Sequence, residues 1–454
     1  VRTEKTSLTQ GLAAFTTGDA SAIPPVALAA ARRAIIDTVG VMLAGRIEAP
    51  IPMLSRTLGD GNEALSLATG RRLRAPDAAL LDGLAGHVLD YDDVGPHGHP
   101  SVVIVPALLA EGQRIGASGE AILRAYVIGF ETWAELAWRE TDAYHMGSWH
   151  PTPALGIVAT TAALASLHGL HQEAATHALA LAASFAAGVI ANFGTPIKPL
   201  QAGRAASGAI EAIRLAQAGI IGAPDAIDGA HGLLRGISPR GNVDTASPIR
   251  AGNGAWQLLE QGLSVKRYPV CYAAHRAIDG VLALARDMKP DQVRKITVSL
   301  GRAPAETLRY HAPTTGLEAR FSLHHNLAAA LVSGNVGFAQ LTDDYVRRPD
   351  ATALYSLTTM EIVNEECPEQ PGMAKFDRVI IEAKDGRQLD SKPIRYPRGH
   401  ARLPLSDDEL DVKFLDCAHH CRVREAEKML GKLRAIEKVK DLRELATWWA
   451  TCLS

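Results

Sequence analysis

Cysteine is scarce in this 454-residue chain: five residues, at 271, 367, 417, 421 and 452. An odd, scattered set cannot build a disulfide framework and suits free thiols in a reducing, cytoplasmic setting. Excess charge of either sign is also missing. The net charge is −2 and no basic block occurs, so a nucleic-acid partner is excluded. The first ten residues, VRTEKTSLTQ, lack the apolar core of a signal peptide. The longest apolar stretch, LALAASFAAGVIANFG, falls short of the roughly 20 residues that span a bilayer, and it reads as a buried helix. Internal repeats, low-complexity linkers, GxGxxG and Walker signatures are all lacking, so phosphate-loop chemistry has no support.

The hydrophobic periodicity divides what is present. From about Leu8 to Gly262 the pattern is helical. PPVALAAARRAIIDTVGVMLAG opens on Pro24-Pro25, sets Ile35, Val39 and Met42 on one stripe and stops at Gly45. AGRAASGAIEAIRLAQAG carries small residues at three- and four-residue spacing, as a helix deep in a bundle requires. After Lys266 the period changes: KITVSL alternates, and FDRVIIEAKDGRQLDSKPI predicts a hairpin turning at Asp385-Gly386. Helical pattern returns at SDDE, where Ser406 and Glu409 form a capping-box signature, and continues as one or two charged amphipathic helices. The expected fold is mainly α. An all-helical domain is built from residues 1–265 and 405–454, with an inserted α+β lid domain at 266–404.

One stretch concentrates chemistry. HVLDYDDVGPHGHPS places His87, His97 and His99 with Asp90, Asp92 and Asp93 between two apolar runs. Ionisable groups beside a core are costly unless they are paired, bind a metal or do chemistry. Four other stretches share this character: GSWHPTP (His150), PIKPLQAGRAA (Lys198, Arg204), VKRYPVCYAAH (Lys266, Arg267, Cys271, His275) and FSLHHN (His324, His325). Taken singly, each histidine reads more readily as a hydrogen-bonded structural residue than as a catalyst. The CAHHC run ending at Cys421 lacks the second, separated ligand pair of a zinc site.

Together and in this order, the five stretches resemble the MmgE/PrpD family over nearly the whole chain. The family includes 2-methylcitrate dehydratase, cis-aconitate decarboxylase and iminodisuccinate epimerase. The resemblance implies a homodimer, no cofactor or metal, and a small di- or tricarboxylate substrate held between a helical domain and a lid. It matches Asp90, His99, His150, Lys198 and Lys266 to family positions. Two departures stand out. Some decarboxylase-like members carry histidine where this chain has Cys271, with His275 nearest, and tyrosine where this chain has His325.

The residue types suit one class of reaction. Breaking a C–H or C–C bond beside a carboxylate builds negative charge, which calls for an acid, a base and fixed cations. His99, His150 and His325 are the candidates for proton transfer, with Asp90 orienting His99 or acting as a base. Lys198, Lys266, Arg204 and Arg267 are candidates for carboxylate binding, beside His97 and His275. The extra imidazoles favour epimerisation of a substituted succinate such as iminodisuccinate. The alternatives are dehydration of a 2-methylcitrate-like acid and cis-aconitate-type decarboxylation. A metal-dependent hydrolase using His87, Asp90, Asp92, His97 and His99 is the rival from another class.

Overall fold

A computed structural model describes residues 6–19, 22–367 and 370–453. The chain is mainly α-helical and divides into two compact units. One runs through Ser264 and resumes at Asp407; the other spans Val265–Ser406.

The first unit packs the helices Pro25–Gly45, Ala75–His87, Ser101–Ile115, Gly119–Trp138, Pro151–Leu167 and Ile197–Gln217 against one another. Four of them carry proline in the first turn, where no amide bond is lost. Helix 75–87 is buried at every position except Asp77, its polar Asp82 and His87 included. Helix 407–420 returns from the far end of the chain and lies on helix 25–45, where Gly40 makes room for Phe414.

Helices 75–87 and 197–217 cross backbone to backbone. A Cβ on Gly203 would stand 2.2 Å from the Leu80 carbonyl oxygen, and one on Gly83 would stand 2.7 Å from Gly203 Cα. Only glycine permits such backbone contact. The crossing also sets function-bearing ends near one another, since His87 closes the first helix and Lys198 opens the second.

The second unit holds a four-stranded sheet in the order 358–363, 293–301, 378–383, 388–390. The first pair is parallel and the other two are antiparallel. Ile296, Val298 and Leu300 are fully buried on one face, as their alternation predicts, against helices 275–284 and 323–333. The hairpin turns at Asp385-Gly386, with Gly386 in the left-handed region.

One expectation is overturned. LALAASFAAGVIANFG is not a single buried helix: the helix ends at Phe185 and the chain continues as an irregular, largely exposed segment to Pro196. Ala186 leaves helical geometry, and Gly188 and Gly194 take positive φ. The Gly188 carbonyl instead accepts the His150 amide at 3.0 Å. The charged C-terminal pattern resolves into two helices, Ala426–Arg434 and Leu442–Leu453.

Gly203→Ala is expected to destabilise the first unit by about 2–3 kcal/mol through the carbonyl clash. Gly431→Ala, a helical position with nothing within 4 Å of its Cβ, is expected to be neutral or stabilising. Urea midpoints of the two variants check the contrast.

Candidate active site

The loop between His87 and Ser101 is held at nearly every residue. The Asp90 amide donates to the His87 carbonyl at 3.1 Å, and Asp90 itself takes φ +52°. Val94 and Ser264 exchange two backbone bonds, at 2.8 and 2.9 Å. The Gly95 amide closes a turn onto the Gly98 carbonyl, and Trp133 Nε1 donates to the Pro96 carbonyl at 2.9 Å. The His99 amide donates to Thr152 Oγ1 at 3.2 Å. Left-handed backbone at Asp90 and at His97 (φ +64°) is uncommon for side-chain-bearing residues and persists only where the surroundings enforce it.

Asp92 sits at the centre. Its Oδ2 accepts from His87 Nδ1 at 2.9 Å and lies 3.0 Å from His99 Nδ1. His99 Nδ1 also donates to the Asp93 carbonyl at 2.7 Å. Carbonyl and carboxylate oxygens only accept, so the proton of His99 is on Nδ1 and Nε2 is left for chemistry. His150 reaches the same state by another route. Gln201 Nε2 donates to the Val189 carbonyl at 3.1 Å, which turns Gln201 Oε1 onto His150 Nδ1 at 2.7 Å. The His87 ring stands 4.7 Å from that of His99 and 5.9 Å from that of His150. Three imidazoles thus share one tautomer in one cluster.

Burial dominates their electrostatics. It lowers His87 to about 4 and His150 to about 2, so both are neutral near pH 7. Burial pushes the Asp92 carboxyl up, but its contacts with His87 and His99 outweigh this and hold it well below the usual carboxylate range. Asp93 goes the other way. Burial and the neighbouring Asp37 raise it well above that range, and it accepts from Ser101 Oγ, which is 2.6 Å from Tyr126 Oη.

Lys198 supplies the cation. Its Nζ lies 2.8 Å from Asp90 Oδ1 and 5.5 Å above the Phe193 ring, whose edge meets His150. Asp90, His99, His150 and Lys198 therefore meet in one place, but the role of orienting His99 passes from Asp90 to Asp92. His87, Asp92 and Gln201 complete the cluster; the sequence offered His87 and Asp92 only as ligands of the rival metal site and gave Gln201 no role. The i,i+3 spacing of Lys198 and Gln201 on one helix was the available signal for the last.

The remaining candidates stand apart from this cluster or in the second unit. His97 packs on Tyr144 and is lowered by burial. Arg204 is exposed on its helix. In the second unit, His325 is fully buried, with Nδ1 2.8 Å from Tyr355 Oη and Nε2 2.8 Å from the Gln340 carbonyl, so both nitrogens are engaged within that unit. His275 is fully buried, with Nε2 3.3 Å from the Val270 carbonyl. Lys266 is 1% exposed, and Arg267 lies 3.9 Å from Asp279.

Among the described residues, one group could ligate a metal: His87, Asp92 and His99. Their contacts of 2.9 and 3.0 Å are hydrogen-bond separations. Ligands about 2.1 Å from a tetrahedral ion stand roughly 3.4 Å apart, so a metal would have to open both contacts and displace the Nδ1 protons.

His87 should make the fold acid-sensitive. Its folded-state value lies below that of a free imidazole, so the unfolded chain binds more protons between pH 6.5 and about 4. Stability present above pH 6.5 is lost as the pH falls through that window, by on the order of 2–3 kcal/mol. Denaturation midpoints of wild type and His87→Asn between pH 7 and 4 check this; the variant should show the shallower slope.

Comparison with known proteins bears on this site. The MmgE/PrpD N-terminal domain model matches residues 10–246, and the C-terminal domain model matches residues 268–437. Human cis-aconitate decarboxylase is 26% identical over 433 residues, covering 91% of this chain and 87% of the relative. A cis-aconitate decarboxylase-like protein of Aspergillus oryzae is 27% identical over 409 residues, covering 83% and 82%. The cis-aconitate decarboxylase of Aspergillus terreus is 23% identical, with the same shares. The histidine–aspartate cluster lies inside the first matched region, and the chain belongs to the MmgE/PrpD family of enzymes.

Proposed function

We propose that this protein is a lyase that decarboxylates a small unsaturated tricarboxylate of the cis-aconitate type. The observation that carries the reading is the pair of imidazoles His99 and His150, each with Nδ1 tied back and Nε2 left for proton transfer, beside the Lys198 ammonium. The relatives favour decarboxylation over the other reactions of the family and give no support to the epimerase expectation.

The chemistry follows from the charges. Lys198 draws one substrate carboxylate, exchanging it for Asp90. The substrate's negative charge favours the protonated form of nearby imidazoles, offsetting part of the lowering that burial imposes. The C–C bond to the leaving carboxylate breaks, carbon dioxide departs, and the electron pair spreads into the conjugated system. An imidazolium Nε2–H of His99 or His150 then delivers a proton to carbon. His99 is the more accessible, with 15% of its side chain exposed. The family resemblance extends carboxylate binding to Lys266, and Arg267 is added by residue type.

With cis-aconitate in deuterated water, proton NMR should show product carrying one solvent-derived deuteron, and carbon dioxide should be released. Activity should survive EDTA. His99→Gln and His150→Gln should each lower kcat by roughly 10²–10⁴-fold, whereas Lys198→Ala should chiefly raise KM. Hydration or α-proton exchange without carbon dioxide would move the assignment to another reaction of the family.

We also read the chain as a homodimer, a reading supported by the exposed apolar side chains of Phe185, Val189, Phe193 and Ile197. Light scattering should give twice the 48.3 kDa chain mass; a monomer at micromolar concentration would contradict this.

A further inference from the structure

Beneath the imidazoles lies a second group of buried charges. Asp37 of helix 25–45 is 1% exposed, Asp92 is 1% exposed and Asp93 is fully buried. The cation that faces them is Lys413, itself 5% exposed, from helix 407–420. Its Nζ lies 2.6 Å from Asp37 Oδ1 and 4.0 Å from the Tyr91 ring centroid. It also donates to the Tyr91 carbonyl at 2.9 Å, one residue before Asp92. Its electrostatic neighbours are Asp37 and Asp93 across the helices and Cys417 one turn along its own helix; Arg33 faces Asp37 as well.

We propose that Lys413 is a positioning residue for the reaction: it anchors the Tyr91 carbonyl and supplies the buried positive charge that lets Asp92 hold His87 and His99. The proposal rests on the decarboxylase reading only for the identity of the substrate. Two forces act through this one ammonium. It fixes the loop backbone next to Asp92, and a displacement of about 1 Å in such a group costs on the order of a hundredfold in rate. It also neutralises Asp37, which otherwise repels the Asp92 carboxylate. Removing a cation here destabilises carboxylate anions and stabilises imidazolium, so both kinds of group titrate at higher pH.

The test compares Lys413→Met with the double variant Lys413→Met/Asp37→Asn. Lys413→Met should lower kcat by about 10–10³-fold with KM within about threefold of wild type. The acid limb of its kcat/KM profile should move to higher pH. The double variant removes both ends of the buried pair, so its thermal midpoint should recover while kcat stays low. If the double variant regains wild-type kcat, the lysine only neutralises Asp37 and the proposal is overturned. A wild-type rate and profile in Lys413→Met alone overturn it equally. Nitrogen NMR of ¹⁵N-histidine-labelled protein needs no substrate and keeps the two readings apart. The ring-nitrogen titration of His87 should move in Lys413→Met even if cis-aconitate is not turned over. An unchanged titration counts against Lys413 and leaves the decarboxylase reading untouched.

Discussion

Three carboxylates buried within a bundle of apolar helices are the constraint around which the first unit is arranged. Each of Asp37, Asp92 and Asp93 forfeits hydration, and each is compensated differently: an ammonium for Asp37, two imidazole N–H groups for Asp92, and a proton with a Ser101 bond for Asp93. Buried ion pairs contribute little net stability compared with well-packed apolar groups, but breaking one is expensive. The arrangement therefore acts mainly on geometry. It holds the loop after His87 in the conformation that fixes the tautomers of His87 and His99.

Those tautomers give the site its chemical character. His87 and His150 are neutral and are poor acids until an anion arrives, and the Lys198 ammonium rests on Asp90 in the meantime. On the proposed function, a polycarboxylate substrate would change both conditions at once, by occupying the cation and raising the proton affinity of the rings. The site thus holds its charges in internal pairs that a substrate of opposite charge pattern can exchange.

Much of this was legible in the sequence, and the reasons differ by element. Helix 25–45 is announced by its prolines, its stripe and Gly45; the hairpin is announced by Asp385-Gly386. The residues that meet at the site came from the order of five stretches, since no single one distinguishes a catalytic histidine from a structural one. Asp92 and Asp90 differ by two positions in one run, and only the left-handed turn at Asp90 decides which of them faces His99. Backbone conformation of that kind leaves little trace in residue types. The segment after Phe185 was misread because its alanines and glycines are apolar in composition but too small to hold a helix against two positive-φ glycines. Lys413 was invisible for another reason: its partners lie hundreds of residues upstream, and a lysine in a charged helix looks like any solvated one.

That separation has a consequence for how the protein is made. Asp37 with its helix and Tyr91 with its loop leave the ribosome early, whereas Lys413 follows only after the whole of 265–406 has been synthesised. Nascent chains acquire structure from the N-terminal end, so the first unit must wait with an uncompensated acidic pocket while the second completes its sheet. Protonated or open carboxylates are the accessible states during that interval, and the imidazoles above them have no fixed orientation. If Lys413 positions the site as proposed, the last helices to emerge complete it, and a chain truncated before Lys413 would keep a bundle whose reactive groups are never set.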